Sequence, residues 1–182
     1  MPTVMQACIE MELTATASAL LRNDMDPPVA IRTLLDAGQP ADALKLLARM
    51  LPKRYAVAWL CQCARGQPLG PEDRAGASLA EKWVREPNES NRRAAFEFAD
   101  AGGYRSTGAW LAASAGWAAG SLAPATQQTP VPPPEHLTAC AVAAGINLLA
   151  ALVPDEFESR RAAFIEAALS LLGGSGAVAA TA

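Results

Sequence analysis

The 182 residues include 41 alanines but only 33 charged side chains, and Val plus Ile number just 12. So few β-branched residues, with only 10 aromatics, exclude an all-β fold, and a 51% hydrophobic share excludes a largely disordered chain. A net charge of −3 without any compact basic cluster excludes a general nucleic-acid binder, and the single histidine, His136, removes most His-based metal and triad chemistry.

The punctuation along the chain is helical. Residues 1–22 read as a helix or, in the competing reading, partly as a strand, with the helix favoured; Glu10 and Glu12 inside the apolar stretch and the lack of an early basic cluster argue against a signal peptide, which points to the cytoplasm. Asp26-Pro27-Pro28 opens a helix that Gly38 closes, with an apolar stripe at Val29, Ile31, Leu34 and Leu35. Gln39-Pro40 starts the next, carrying Ala43, Leu44, Leu47 and Leu51 at helical spacing until Pro52 breaks it. From 53 to about 65, Tyr55, Trp59 and Cys63 recur at i, i+4 and i+8. A Gly/Pro cluster at 66–71 is a turn. Pro71, Glu72 and Asp73 suit the start of a helix over 71–86, with Ala75, Leu79 and Trp83 as its apolar positions. Asn88 or Ser90 caps a helix over 91–100, which Gly102-Gly103 stops.

Ser106 caps the following segment, on which Trp110 and Trp117 are seven apart and share one face. Residues 124–134 are a proline-rich strap ending in V-P-P-P, expected to run in polyproline II geometry. It reads either as a ligand for an aromatic groove or, more often for such segments, as a strap across its own domain. Glu135 opens a long apolar helix ending at Pro154. Asp155 with Glu158 forms a D-x-x-E capping signal for a last helix to about 172, leaving 173–182 as a frayed tail. The expected fold is all-α: an irregular bundle of seven or eight short antiparallel helices within one domain over 1–172, with a repeat-like pairing at 27–65 and 71–102.

Charge is unevenly spread. Residues 1–105 hold 13 acids and 13 bases, whereas 106–182 hold five acids and two bases. No charge occurs over 106–134 or 136–154. Glycine and proline interrupt the first run, and the second is short for a membrane span, so both read as core helices rather than spans. Their apolar faces are either buried internally or covered by a partner.

Candidate chemistry is sparse. Cys61 and Cys63 point to nearly opposite sides of a helix, and with Cys8 and Cys140 they read as small buried hydrophobes. His136 at a helix start has only Glu135 beside it, and the acid pairs Glu10/Glu12 and Glu72/Asp73 read as surface and helix-end charges. No catalytic residue, cofactor or metal site is expected. Arg92 and Arg93, near a helix N-terminus where cations are unfavourable, read as contacts for an acidic partner. The competing reading pairs one with Glu89 or Glu97 and leaves the other in solvent. Trp59, Trp83, Trp110 and Trp117 are core or proline-stacking residues first and partner contacts second.

The stretches L-P-K-R-Y-A-V-A-W (51–59), W-V-R-E-P-N-E-S-N-R-R-A-A (83–95), G-S-L-A-P (120–124) and P-V-P-P-P-E-H-L-T-A (130–139) together resemble an uncharacterised family of small all-helical bacterial proteins, each one domain of unknown function, over about residues 30–172. The family's genes tend to lie near type VI secretion components. The resemblance implies a cytoplasmic accessory role, as adaptor or chaperone for a secreted effector or secretion component, and carries over no catalytic residue. The resulting expectation is a non-enzymatic protein-interaction module contacting its partner through Arg92, Arg93, Trp83, His136, Trp110 and Trp117. A homo-oligomer with Trp110 or Trp117 at its interface, or an enzyme built around His136, are the alternatives.

Overall fold

Prolines and short polar side chains set the helix starts. In the computed structural model, which describes residues 1–174, three helices carry proline in the first turn: α3 (Pro27–Asp36), α4 (Pro40–Met50) and α6 (Pro71–Arg85). Four others open on a side-chain oxygen that accepts an exposed N–H two or three residues into the helix. Thr3 serves α1 (Val4–Glu10), Thr14 serves α2 (Ala15–Ser18), Asn88 serves α7 (Glu89–Ala101) and Ser106 serves α8 (Thr107–Gly116). With α5 (Lys53–Ala64), α9 (Leu137–Ala150) and α10 (Phe157–Gly174), this makes ten α-helices and no strand among the described residues. The all-α expectation holds.

Several local expectations need correction. The N-terminal helix is two short ones, broken where Glu12 takes a left-handed φ of 50°. Asp26 sits at the N-cap of α3 without accepting a capping bond. Glu135 lies outside α9, ion-paired with Lys53 at 3.0 Å, and His136 takes the N-cap place. The D-x-x-E box does not form: Asp155 belongs to a 3-10 turn over Pro154–Glu156, and Glu158 pairs with Arg161. α10 continues through Gly173 and Gly174, and the rest of the expected tail, 175–182, lies outside the described residues.

The uncharged helices are the inside of the molecule. α8 packs against α5, α6, α7 and α9, while α9 packs against α4, α5, α8 and α10. Every residue of α8 except Thr107 and Trp110 is buried. A helix apolar on all sides has no face to give to water, so it is stable only when wrapped by others. Most of the buried apolar residues, from Val4 to Leu169, form one continuous cluster.

Small residues permit this wrapping. α6 and α8 meet backbone to backbone: a methyl group on Gly76 would fall on the Gly108 carbonyl, and one on Gly108 would lie 2.6 Å from the Asp73 Cα. That approach fixes the rotation of α6. Its buried face runs through Gly76, Ala80 and Trp83, and Ala75, expected on the stripe, faces solvent. Val29 and Tyr55, likewise expected in stripes, lie in the first turns of α3 and α5 and are 52% and 56% exposed. The acids at the start of α6 do more than meet their own helix dipole. Asp73 accepts the Gly108 N–H at 2.6 Å and Glu72 accepts the Ser106 hydroxyl at 3.2 Å, so they also satisfy the start of α8.

Polar ties anchor the outer helices. The Trp59 indole N–H donates to the Phe164 carbonyl at 2.9 Å, joining α5 to α10. Buried Asp42 on α4 accepts from both the backbone N–H and the hydroxyl of Thr14, at 3.2 and 2.8 Å, holding the N-terminal helices to the bundle.

Candidate functional site

Arg92 and Arg93 sit one turn into α7, and the structure gives them different tasks. Arg92 is 1% exposed. Its Nη1 donates to the Gly116 carbonyl at 2.6 Å, at the end of α8, while Nε and Nη2 form a fork onto the two oxygens of Glu89, each at 2.6 Å. A cation on the last carbonyls of a helix meets the negative end of its dipole. The fork holds the Glu89 carboxyl below its ordinary value of 4.5, chiefly through these hydrogen bonds. Gly120, at φ +68°, turns the chain beside the guanidinium, where a methyl group would lie 2.5 Å from Nε. Arg92 is therefore a buried clasp rather than a surface cation, which corrects its expected role as a partner contact.

Arg93 remains half-buried at the surface. It donates to the Ala123 carbonyl at 2.9 Å, faces the Phe96 ring with its guanidinium 5.5 Å from the centroid, and pairs loosely with Glu97 at 3.9 Å. Neither arginine is left simply in solvent, as the competing reading had one of them. With Phe96, Asp100, Leu122 and Pro124, Arg93 lines a cavity of about 280 Å³ at the foot of the strap.

The strap itself does not lie across the domain. The Leu122 N–H donates to the Val131 carbonyl at 2.8 Å, and the Ser121 hydroxyl oxygen accepts from Val131 at 2.9 Å and from Ala123 at 3.1 Å. These bonds pinch the two ends together, and residues 124–132 stand exposed as a closed loop. Val131, at the head of V-P-P-P, is 44% exposed. Pro132, Pro133 and Pro134 have no N–H to join a ladder, and the Pro134 carbonyl accepts the Leu137 N–H at 3.1 Å.

The tryptophans are engaged with protein. Trp110 and Trp117 meet edge to face with ring centroids 5.9 Å apart, and Tyr104 packs on both, at 6.0 and 5.3 Å. Their expected shared face is real, and it is half-buried. Burial pushes the Tyr104 phenol above its ordinary value. Trp83 is 7% exposed, part of the core. His136 is half-buried at the start of α9 and makes no capping bond with its side chain. Of the six expected contact residues, then, Arg92 meets the end of α8 at Gly116, Trp110 and Trp117 pack together, Arg93 reaches Ala123, and His136 lies on another element.

A second feature was not visible in the sequence. Between α5 and α6 run two adjoining cavities of about 220 and 260 Å³ that share Cys61, Arg65 and Glu81. Arg74 stands at one end and Arg85 at the other. The Glu81 carboxylate accepts from Arg65 Nε at 2.9 Å and lies 3.7 Å from Arg85 Nη1. The only hint in the chain is the Glu81/Arg85 spacing of four; Arg74 lies in the first turn of the same helix, and Arg65 comes from the end of α5. Cys61 on the shared wall is pushed up to about 12, first by burial and then by Glu81, so it stays a thiol and brings no negative charge to the groove. Burial likewise takes Cys63 to about 12, and all four cysteines are free. Among the described residues no group of His, Cys, Asp and Glu is placed to hold a metal ion, and no single helix is long and apolar enough to cross a membrane.

No curated protein and no solved structure matches the chain. Residues 30–172 match the family of unknown function DUF6931, and the chain belongs to that family.

Proposed function

We propose that this member of the DUF6931 family works through protein–protein contact rather than catalysis, as a cytoplasmic adaptor or chaperone accessory to a bacterial type VI secretion system. The observation that carries the interaction reading is the strap: a proline-rich loop closed at its base and held out in solvent. A preformed extended proline segment loses little conformational entropy when a partner's aromatic groove takes it. The Arg93 cavity at its foot adds a cation and an aromatic ring beside the same loop. The way the ionisable groups are used also supports the reading. Glu72 and Asp73 serve the start of α8, Glu89 serves Arg92, and Glu135 serves Lys53. The secretion system enters through the resemblance of the motif set to a family encoded beside such components.

The test is affinity purification from native cells with mass spectrometry, using the tagged wild-type chain and a triple variant Val131→Ser, Pro132→Ser, Pro133→Ser. Secretion components or an effector should accompany the wild type and be depleted at least about tenfold with the variant, a loss of about 1.4 kcal/mol in affinity. A chain that comes down alone as a monomer, or that keeps its partners without the prolines, removes the basis of the reading.

A further inference from the structure

We infer that the groove between α5 and α6 is a docking site for an acidic, extended segment of a partner protein. The inference rests on the protein-interaction reading above but concerns a different face, and it does not need the strap. The two cavities adjoin through Arg65 and Glu81, with Arg74 lining the first and Arg85 the second. Arg74 and Arg85 are eleven residues apart on one helix, about 16 Å at 1.5 Å per residue, a span that about five residues of extended chain would cover.

Charge identifies the occupant. Three guanidinium groups line the groove against one carboxylate, Glu81, in a chain whose overall charge is −3. Glu81 is three-quarters buried, with its side chain 24% exposed, whereas the Arg65 and Arg85 side chains are 68% and 66% exposed. Glu81 thus stands in the groove as the chain's own carboxylate, holding two arginines at its rim. Arg65 spends only Nε on it, which leaves the Nη donors for another acceptor, and Arg85 reaches it at 3.7 Å, beyond hydrogen-bond length. Arg54 adds a fourth cation at the Arg85 end, donating to the Val84 and Arg85 carbonyls at 2.8 and 3.4 Å. Guanidinium forks bind carboxylates in two-pronged fashion, and spaced forks along a groove select a chain with spaced carboxylates.

The acids that would oppose such a ligand are accounted for. Glu72 and Asp73, near the Arg74 end, are turned to Ser106 and the Gly108 N–H at the start of α8. Glu86 follows Arg85 as an exposed residue past the end of α6. Cys61 stays protonated. What remains in competition with a ligand is Glu81, and that makes the proposal testable in both directions.

The experiment measures binding of a fluorescein-labelled hexaglutamate peptide to the full chain by anisotropy at low salt, where exposed charges are least screened. Wild type should bind, Arg65→Ala with Arg85→Ala should bind at least about tenfold more weakly, and Glu81→Gln should bind several-fold more tightly because it removes the internal competitor. Arg65 and Arg85 are at the groove rim and Glu81→Gln is nearly isosteric, and circular dichroism and urea unfolding check that the variants fold. The inference is overturned if the double arginine variant binds as well as wild type, if Glu81→Gln binds no better, or if an oligothymidylate of equal charge displaces the peptide more readily than unlabelled hexaglutamate does. Failure here leaves the strap-dependent pull-down untouched, and loss of partners on strap mutation leaves this titration untouched.

Discussion

The inner helices α8 and α9 and the outer helices α3 to α7 meet water in opposite ways. α8 and α9 contain no charged residue, and α8 is buried on nearly every side by small side chains. Between residues 53 and 86, α5, α6 and the turns beside them carry ten acids and bases, and Glu89 and Arg92 follow on α7. Burial inside costs little polar desolvation because the side chains bring no polar atoms. It demands instead that backbones come close, which is why glycine and alanine dominate. Outside, charges are tolerated, and several become joints between helices.

The largest expected effect tests the close approach. Gly76→Leu forces α6 away from Gly108 along its whole length, because the obstacle is backbone that cannot rotate aside. It should cost more than about 4 kcal/mol, a large share of a typical domain's stability, and be seen as loss of soluble folded protein or of a cooperative urea transition. Ala75→Leu, one residue away on the exposed side of the same helix, should change stability by less than about 0.5 kcal/mol. Equal effects at the two positions would dissolve the contrast between the inner and outer faces of α6.

The next effect separates two adjacent arginines. Arg92→Ala leaves the Gly116 carbonyl dry and unpaired at the end of α8, while Glu89, with its side chain 62% exposed, returns to water. The expected loss is about 2–3 kcal/mol in urea unfolding. Arg92→Lys should recover little, since one ammonium on a flexible stem cannot reproduce the planar fork on Glu89 and the bond to Gly116 together. Arg93→Ala, removing a surface bond to Ala123 and a loose pair with Glu97, should cost no more than about 1 kcal/mol. A larger loss at Arg93 than at Arg92 would reverse the assignment of clasp and surface cation.

Much of this architecture could be read from the chain because its signals are local. Prolines at first turns, the Asn88 and Ser106 caps and the charge-free runs each mark helices without reference to tertiary contacts. The rotation of α6 is not legible in the sequence because Ala75 and Gly76 are both small, and only the approach of Gly108 decides which one faces inward. The burial of Arg92 has no local signal, because its partner, the carbonyl at Gly116, carries no sequence signature. The groove between α5 and α6 has no local signal for a related reason: Arg65 joins Arg74, Glu81 and Arg85 only once the two helices fold against each other. The strap was legible as a proline-rich loop, but its closure depends on Ser121 meeting Val131 ten residues later.

The smallest expected effect brings the outer charges under pH control. Arg92 lowers the Glu89 carboxyl below 4.5 in the folded chain, so the folded state binds this proton less readily than the unfolded one. The stabilisation is fully present above about pH 4.5 and is lost as pH falls through the lower folded value. Because the Glu89 side chain is 62% exposed, solvent screening keeps the effect below about 1 kcal/mol. Urea unfolding across this acid range should therefore show a shallower loss of stability for Glu89→Gln than for wild type. Glu135, lowered by Lys53 and 74% exposed, is the companion case, and Glu135→Gln should flatten the curve less. The inner helices contribute nothing to this slope, since α8 and α9 carry no acid or base to titrate. A Glu89→Gln curve that falls as steeply as wild type would mean that the clasp holds through the Gly116 carbonyl alone, with the carboxylate a bystander.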